Sequence, residues 1–142
     1  MQLVVLLALL GGIAVALQSP MASLLSQRLG ILESIFIVHI GGALLTAIPL
    51  LVFRGGNLGA WRSVPWYTLL AGAFGLVAIA AVSSAIPRLG AAASVMFFVA
   101  AQLSLSALLD HWGYLGAAVR PLDLPRVAGM ALLFLGAWLM VR

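Results

Sequence analysis

Residues 3–53 read LVVLLALLGGIAVALQSPMASLLSQRLGILESIFIVHIGGALLTAIPLLVF, and Arg28 and Glu33 are the only acidic or basic side chains among them apart from His39. A helix needs about 20 predominantly apolar residues to cross a hydrocarbon core about 30 Å thick. This stretch holds two such runs, Leu3 to Ser26 and Ile31 to Phe53, joined by Gln27 to Gly30. So short a connection forces the two helices to run antiparallel. Further along the chain the same reading gives three more spans, Trp66 to Ile86, Ala91 to Leu109 and Arg126 to Val141. The whole chain is 65% hydrophobic and only 7% charged, so a soluble fold would leave too much apolar surface in water. The fold class is therefore all-α, a polytopic membrane protein of five transmembrane helices, forming one transmembrane domain over residues 1–142. The first run has no basic segment before it and leads directly into further spans, so it reads as a retained helix rather than a signal peptide.

Between the spans, Arg54 to Pro65 joins two and three, and Pro87 to Gly90 joins three and four. The longest connection, Asp110 to Pro125, holds Trp112 and Tyr114 beside Asp110 and His111, the composition of an interfacial aromatic belt. Pro65 and Pro125 fall where a helix starts and its missing N–H costs nothing. Pro20 and Pro49 fall inside spans and each frees a carbonyl. An internal repeat shows at an offset of 60 residues: Gln27-Arg28-Leu29-Gly30 against Pro87-Arg88-Leu89-Gly90, Ser34 against Ser94, and Gly12 against Gly72. It pairs span one with three and two with four, copies that cross in the same direction. Small residues recur at a spacing of four in Gly12 and Ala16, Ala71 and Gly75, Ala80 and Ser84, and Ala100 and Ser104, with Gly41-Gly42 in span two. Such faces let helices approach closely where lipid supplies no hydrophobic drive between them.

The charge balance comes from seven arginines and no lysine, each set near a span end, a pattern of topology anchors rather than of a nucleic-acid patch. Five spans put Arg54, Arg62, Arg120 and Arg126 on the side of the N-terminus and Arg28, Arg88 and Arg142 on the other, four against three. Orientation follows the bias of basic residues in short loops, and this bias is close to none. Either the chain inserts both ways and pairs with its own inverted copy, or a partner such as a paralogue fixes its orientation; the alternative is a single orientation set by the clustered Arg54 and Arg62. An antiparallel homodimer of ten helices would supply the inverted symmetry that many secondary transporters place around a midplane site.

The runs Leu17-Gln18-Ser19-Pro20, Gly41-Gly42, Ile86-Pro87-Arg88-Leu89-Gly90-Ala91-Ala92, Ala101-Gln102 and Asp110-His111-Trp112-Gly113, followed by Arg126-Val127-Ala128-Gly129 and Gly136, resemble the YdcZ-type five-helix family of the drug/metabolite transporter superfamily. The resemblance covers nearly the full length. It implies small-solute export by alternating access, with ten helices built from two five-helix halves, and a multi-pass place in the bacterial inner membrane.

Polar groups inside spans are costly and so are the first functional candidates. Gln18 and His39 lie 11 and 10 residues from Leu29 on adjacent antiparallel helices (29 − 18 and 39 − 29), both roughly 15 to 17 Å deep. Together with Gln102 they are the candidate substrate-binding groups; the structural alternative for the first two is a Gln-His hydrogen bond between helices. Glu33, the carboxylate within a span, is the candidate for proton coupling, against the alternative of a charge favoured by the start of span two beside Arg28. Asp110 and His111 are gate or interface candidates, with Asp110 expected to pair with Arg120 or Arg126 and anchor the long connection.

With no cysteine, no HExxH, no Walker A sequence and two distant histidines, neither enzyme, metal nor cofactor chemistry is expected. The expected function is a membrane transporter that exports a small organic solute, cationic or amphipathic, as an antiparallel homodimer. The alternatives are a passive dual-topology channel and a non-transporting subunit of a membrane complex.

Overall fold

A computed structural model describes residues 1–53 and 56–142; Arg54, one of the expected topology anchors, lies outside the described residues. Five α-helices form where the apolar runs lie: α1 (Gln2–Leu29), α2 (Ile31–Val52), α3 (Ala71–Leu89), α4 (Ala91–Trp112) and α5 (Leu124–Leu139). No strand is present among the described residues. Span three opens on a 3-10 turn, Trp66–Leu70, so the apolar segment Trp66–Leu89 is 24 residues long. α1 to α4 with that lead-in are long and apolar enough to cross a bilayer. α5 has only 16 residues, about 24 Å at 1.5 Å per residue, shorter than the hydrocarbon core. At its end the Arg142 guanidinium lies 4.4 Å from the centre of the Trp138 ring, a cation–π pair of the kind that fixes a helix end at the headgroup level.

Two of the connections are tighter than expected. Helix continues through Gln27 to Leu29 and through Pro87 to Leu89, leaving one non-helical residue in each case, Gly30 and Gly90. Pro87 falls in the last turn of α3, where the helix continues over it. The two junctions have the same build. Gly30 has φ +116° and ψ +158°, and Gly90 φ +82° and ψ +161°. Each donates its N–H four residues back, to the Ser26 and Ile86 carbonyls at 3.0 and 2.9 Å. Each then accepts from the N–H four residues on, Ser34 at 3.1 Å and Ser94 at 3.2 Å. The repeat at an offset of 60 thus extends from sequence to backbone geometry.

At these junctions a side chain is unfavourable because φ is positive. At Gly30 there is a second reason, since the Glu33 carboxylate occupies the place a Cβ would take. Gly30→Ala is therefore expected to lower stability by about 1–3 kcal/mol from backbone strain alone, read as a lower melting temperature in detergent. Adding Glu33→Ala should recover only the steric part.

By packing, the chain divides into two units, Met1–Ser84 and Ala85–Arg142. In the first, α1 and α2 form a hairpin, and the buried residues are Ala22 and Ser23 on α1, Ser34 and Ile35 on α2, and Val82 and Ser83 on α3. All but Ile35 and Val82 are small, which is what allows backbone-to-backbone approach without a hydrophobic drive. The Ser34 hydroxyl donates to the Ala22 carbonyl at 2.8 Å, joining α2 to α1. The Ser23 hydroxyl donates to the Ser83 carbonyl at 3.2 Å, joining α1 to α3, and itself accepts from Gln27 Nε2 at 3.2 Å. Ser83 Oγ is buried with no partner among the described residues. The four buried serines fall at 23 and 83 and at 34 and 94, again the repeat offset.

In the second unit α4 packs on α5, with Ala93, Ser94, Ala100 and Ala137 buried. Gly136 faces Met96, whose methyl carbon would be 3.2 Å from a Cβ at that position. Of the small-residue pairs, Ala100 is thus in close packing, whereas Gly12, Gly41 and Gly42 have no atom within 4 Å of where a Cβ would stand.

Candidate functional site

His39 lies one turn above the buried Ile35 on the inward face of α2 and is itself half-buried. Its Nδ1 is 2.9 Å from the Ile35 carbonyl oxygen. A carbonyl can only accept, so the ring proton sits on Nδ1 and Nε2 carries the lone pair in the neutral form. Nε2 is turned to α3, where a Cβ at Gly75 would be 3.2 Å away. His39 thus bridges from α2 to α3 by way of a glycine.

Gln18 is exposed on α1 and makes no hydrogen bond to His39 among the described residues. Counting residues places the two at one depth, but each residue turns a helix by about 100°, and depth alone leaves direction open. Gln102, in the other unit, is likewise exposed, about halfway along α4.

Glu33 sits in the first turn of α2 and folds back over Gly30, where the helix N-terminus favours a negative charge. No ion pair joins it to Arg28 among the described residues. With Leu29, Leu32, Phe36 and Ile37 it lines an open groove of about 480 Å³. Phe36 is 67% exposed, and Glu33 and Ile37, one helical turn apart, project from the side of α2 opposite the buried Ile35. A carboxylate at the lip of an apolar groove suits a molecule with a cationic head and an apolar body.

The Asp110 element closes the long connection. Asp110 Oδ2 pairs with Arg126 Nη2 at 3.5 Å, each side chain about one third exposed, so the pair itself adds little, on the order of 1 kcal/mol or less. The Asp110 carbonyl accepts from the Arg120 N–H at 2.9 Å, and the Arg120 carbonyl accepts from Arg126 Nη1 at 2.9 Å. Arg126 is therefore the ionic partner, and Arg120 joins through its backbone. His111 Nδ1 accepts from the Leu122 N–H at 3.0 Å, which fixes its proton on Nε2. The connection also contains Leu115 with φ +57°, a left-handed conformation that strains a leucine, between Gly113 and Gly116, also at positive φ. Together these bonds sew the start of α5 to the end of α4.

Sequence reasoning missed the start of α5, which begins at Leu124 rather than Arg126. Asp123 is its N-cap, accepting from the Arg126 N–H at 2.9 Å. The signal was present: an aspartate two residues before a proline is a helix start. It also missed Ser23 and Ser83 as packing groups, although they obey the repeat.

Residues 3–139 match the family described as "Putative inner membrane exporter, YdcZ". The chain belongs to this family. It is also 35% identical over 98 residues to the protein named "Inner membrane protein YdcZ" from Escherichia coli (strain K12), a match that covers 67% of this chain and 65% of that protein. No solved structure matches the chain. The YdcZ match takes in all five helices up to Leu139, including the two glycine junctions and the Asp110 clasp. A YdcZ-family chain with these apolar helices is a multi-pass inner-membrane protein.

Proposed function

We propose that two copies of this chain assemble antiparallel and export a small organic solute, cationic or amphipathic, by alternating access. The observation that carries the reading is the exposure of Gln18 and Gln102, two carboxamides near the middle of apolar helices. An amide left in hydrocarbon without a hydrogen-bonding partner costs about 4–8 kcal/mol, so these faces call for a polar covering or a watered path. A second copy supplies the covering. The internal repeat cannot supply the inverted partner, because its copies are two spans apart and run the same way. The balance of four arginines against three supports an inverted second chain.

In this reading Gln18, His39 and Gln102 contact the solute. Glu33, on its apolar groove, exchanges the cationic head of the solute for a proton. The test is counterflow of ethidium in liposomes carrying the purified chain. Uptake that saturates and is accelerated by unlabelled ethidium on the far side is expected. Flux that only dissipates a gradient, without saturation or counterflow, would mark a passive channel. Flux that needs an added second protein would mark a subunit.

A further inference from the structure

We infer that the cleft between the end of α4 and the turn that follows it holds a membrane lipid whose headgroup carries a phosphate and a primary ammonium, a phosphatidylethanolamine. The ammonium lies on the Asp110 carboxylate and the phosphate on Arg126. This site is separate from the solute contacts and stands whether or not the chain exports.

The cleft has a volume of about 320 Å³ and is lined by Ser106, Leu109 and Asp110 of α4 and by Tyr114, Leu115 and Gly116 beyond it. Its polar groups have capacity to spare. Asp110 is about one third exposed, and its ionic contact, Oδ2 to Arg126 Nη2 at 3.5 Å, is longer than the roughly 2.7–2.9 Å of a charge-assisted hydrogen bond. Oδ1 has no hydrogen bond or ion pair among the described residues, and a carboxylate offers about four acceptor positions. Arg126 gives Nη1 to the Arg120 carbonyl, which leaves Nη2 and Nε as donors. An acceptor in the cleft thus stands beside a donor of opposite charge.

That pairing selects the ligand. A zwitterion carries both charges on one short chain, so it can satisfy Asp110 and Arg126 together and bring in no net charge. A headgroup with a negative charge alone would meet the Asp110 carboxylate, and a choline headgroup has no N–H to donate to it.

Position favours a lipid over a free solute. The apolar helix Ala91–Trp112 ends here, with the Trp112 and Tyr114 rings 5.9 Å apart, the aromatic pattern of the headgroup level. Leu109 and Leu115 supply apolar walls, and Leu115 is 72% exposed. A bare headgroup would leave both uncovered, whereas the acyl chains of a lipid can lie against them.

The experiment is native mass spectrometry on the full chain, freed of lipid in detergent and offered equal amounts of phosphatidylethanolamine, phosphatidylcholine and phosphatidylglycerol with identical acyl chains. One phosphatidylethanolamine per chain should be retained about tenfold more than either other lipid, the effect of one charge-assisted hydrogen bond. Asp110→Asn should bring it down to the level of phosphatidylcholine. Ser106→Leu fills the cleft while both charges stay in place; it should remove the preference too, and it carries the test if the asparagine variant does not fold. Glycerophosphoethanolamine, the same headgroup without acyl chains, should compete only weakly. Equal retention of all three lipids by the unaltered chain, the mark of an unselective lipid shell, would overturn the inference. So would a full preference in folded Asp110→Asn or Ser106→Leu, or displacement of the lipid by an equal concentration of glycerophosphoethanolamine, which would mark a site for the headgroup alone.

Discussion

Two lysines added directly after Arg142 should cut ethidium counterflow about tenfold when that variant is the sole copy in the cell. Arg142 lies on the side that holds three of the seven arginines, so the addition turns four against three into four against five and concentrates the excess in the residues flanking the last span. Basic residues within about 15–20 positions of a span end set orientation. If the minority orientation then falls to about one copy in twenty, no more than about one copy in ten can sit in a mixed antiparallel pair. The control is a second variant with two lysines beside Arg62, which loads the opposite side. Alone it should be equally weak, and co-expressed with the first it should restore flux. Accessibility of a C-terminal tag from each face gives the orientations independently. Full counterflow from a population shown to face one way would end the antiparallel reading.

That experiment rests on features the sequence already displayed. The five apolar runs predict five helices because hydrocarbon leaves no alternative to internally bonded backbone, and all five are present, with ends moved by up to five residues. Where the ends moved, local chemistry explains it. Gly30 and Gly90 can take a positive φ that no neighbour tolerates as cheaply, so helix runs up to them and resumes at the next residue.

The depth of the candidate residues was legible in the sequence, but their direction was not. Equal depth for Gln18 and His39 follows from counting. That His39 turns inward to Gly75, while Glu33 six positions earlier turns outward to Phe36 and Ile37, depends on which face of α2 packs. The helix period would have separated Glu33 from His39, but an almost uniformly apolar helix carries no stripe to say which face is inside. The choice of Arg126 over Arg120 at Asp110 was open for a similar reason. It depends on α5 starting at Leu124, which sets Arg126 in the first turn, within reach of α4.

Glu33→Gln is expected to abolish ethidium accumulation driven by a pH gradient while leaving ethidium exchange intact. A carboxylate can take up a proton or hold a cation, but not both at once, and under the proposed function that exclusion couples the two fluxes. One proton moving down one pH unit is worth about 1.4 kcal/mol, enough for roughly tenfold accumulation of a monocation in exchange. The amide keeps the shape of the side chain at the lip of the groove formed with Leu29, Leu32, Phe36 and Ile37, so the apolar body of ethidium should still bind and cross. It carries no titratable proton, so the gradient no longer drives anything. The competing role is helix stabilisation. The structure bears on that through the absence of an Arg28 partner among the described residues, which leaves only the helix N-terminus, worth about 0.3–1 kcal/mol for an exposed charge. If that were the whole role, the glutamine variant would melt slightly lower and still accumulate ethidium tenfold. Recording proton uptake beside ethidium uptake in the same liposomes separates the two outcomes, because a purely structural carboxylate leaves proton and ethidium fluxes locked together after substitution.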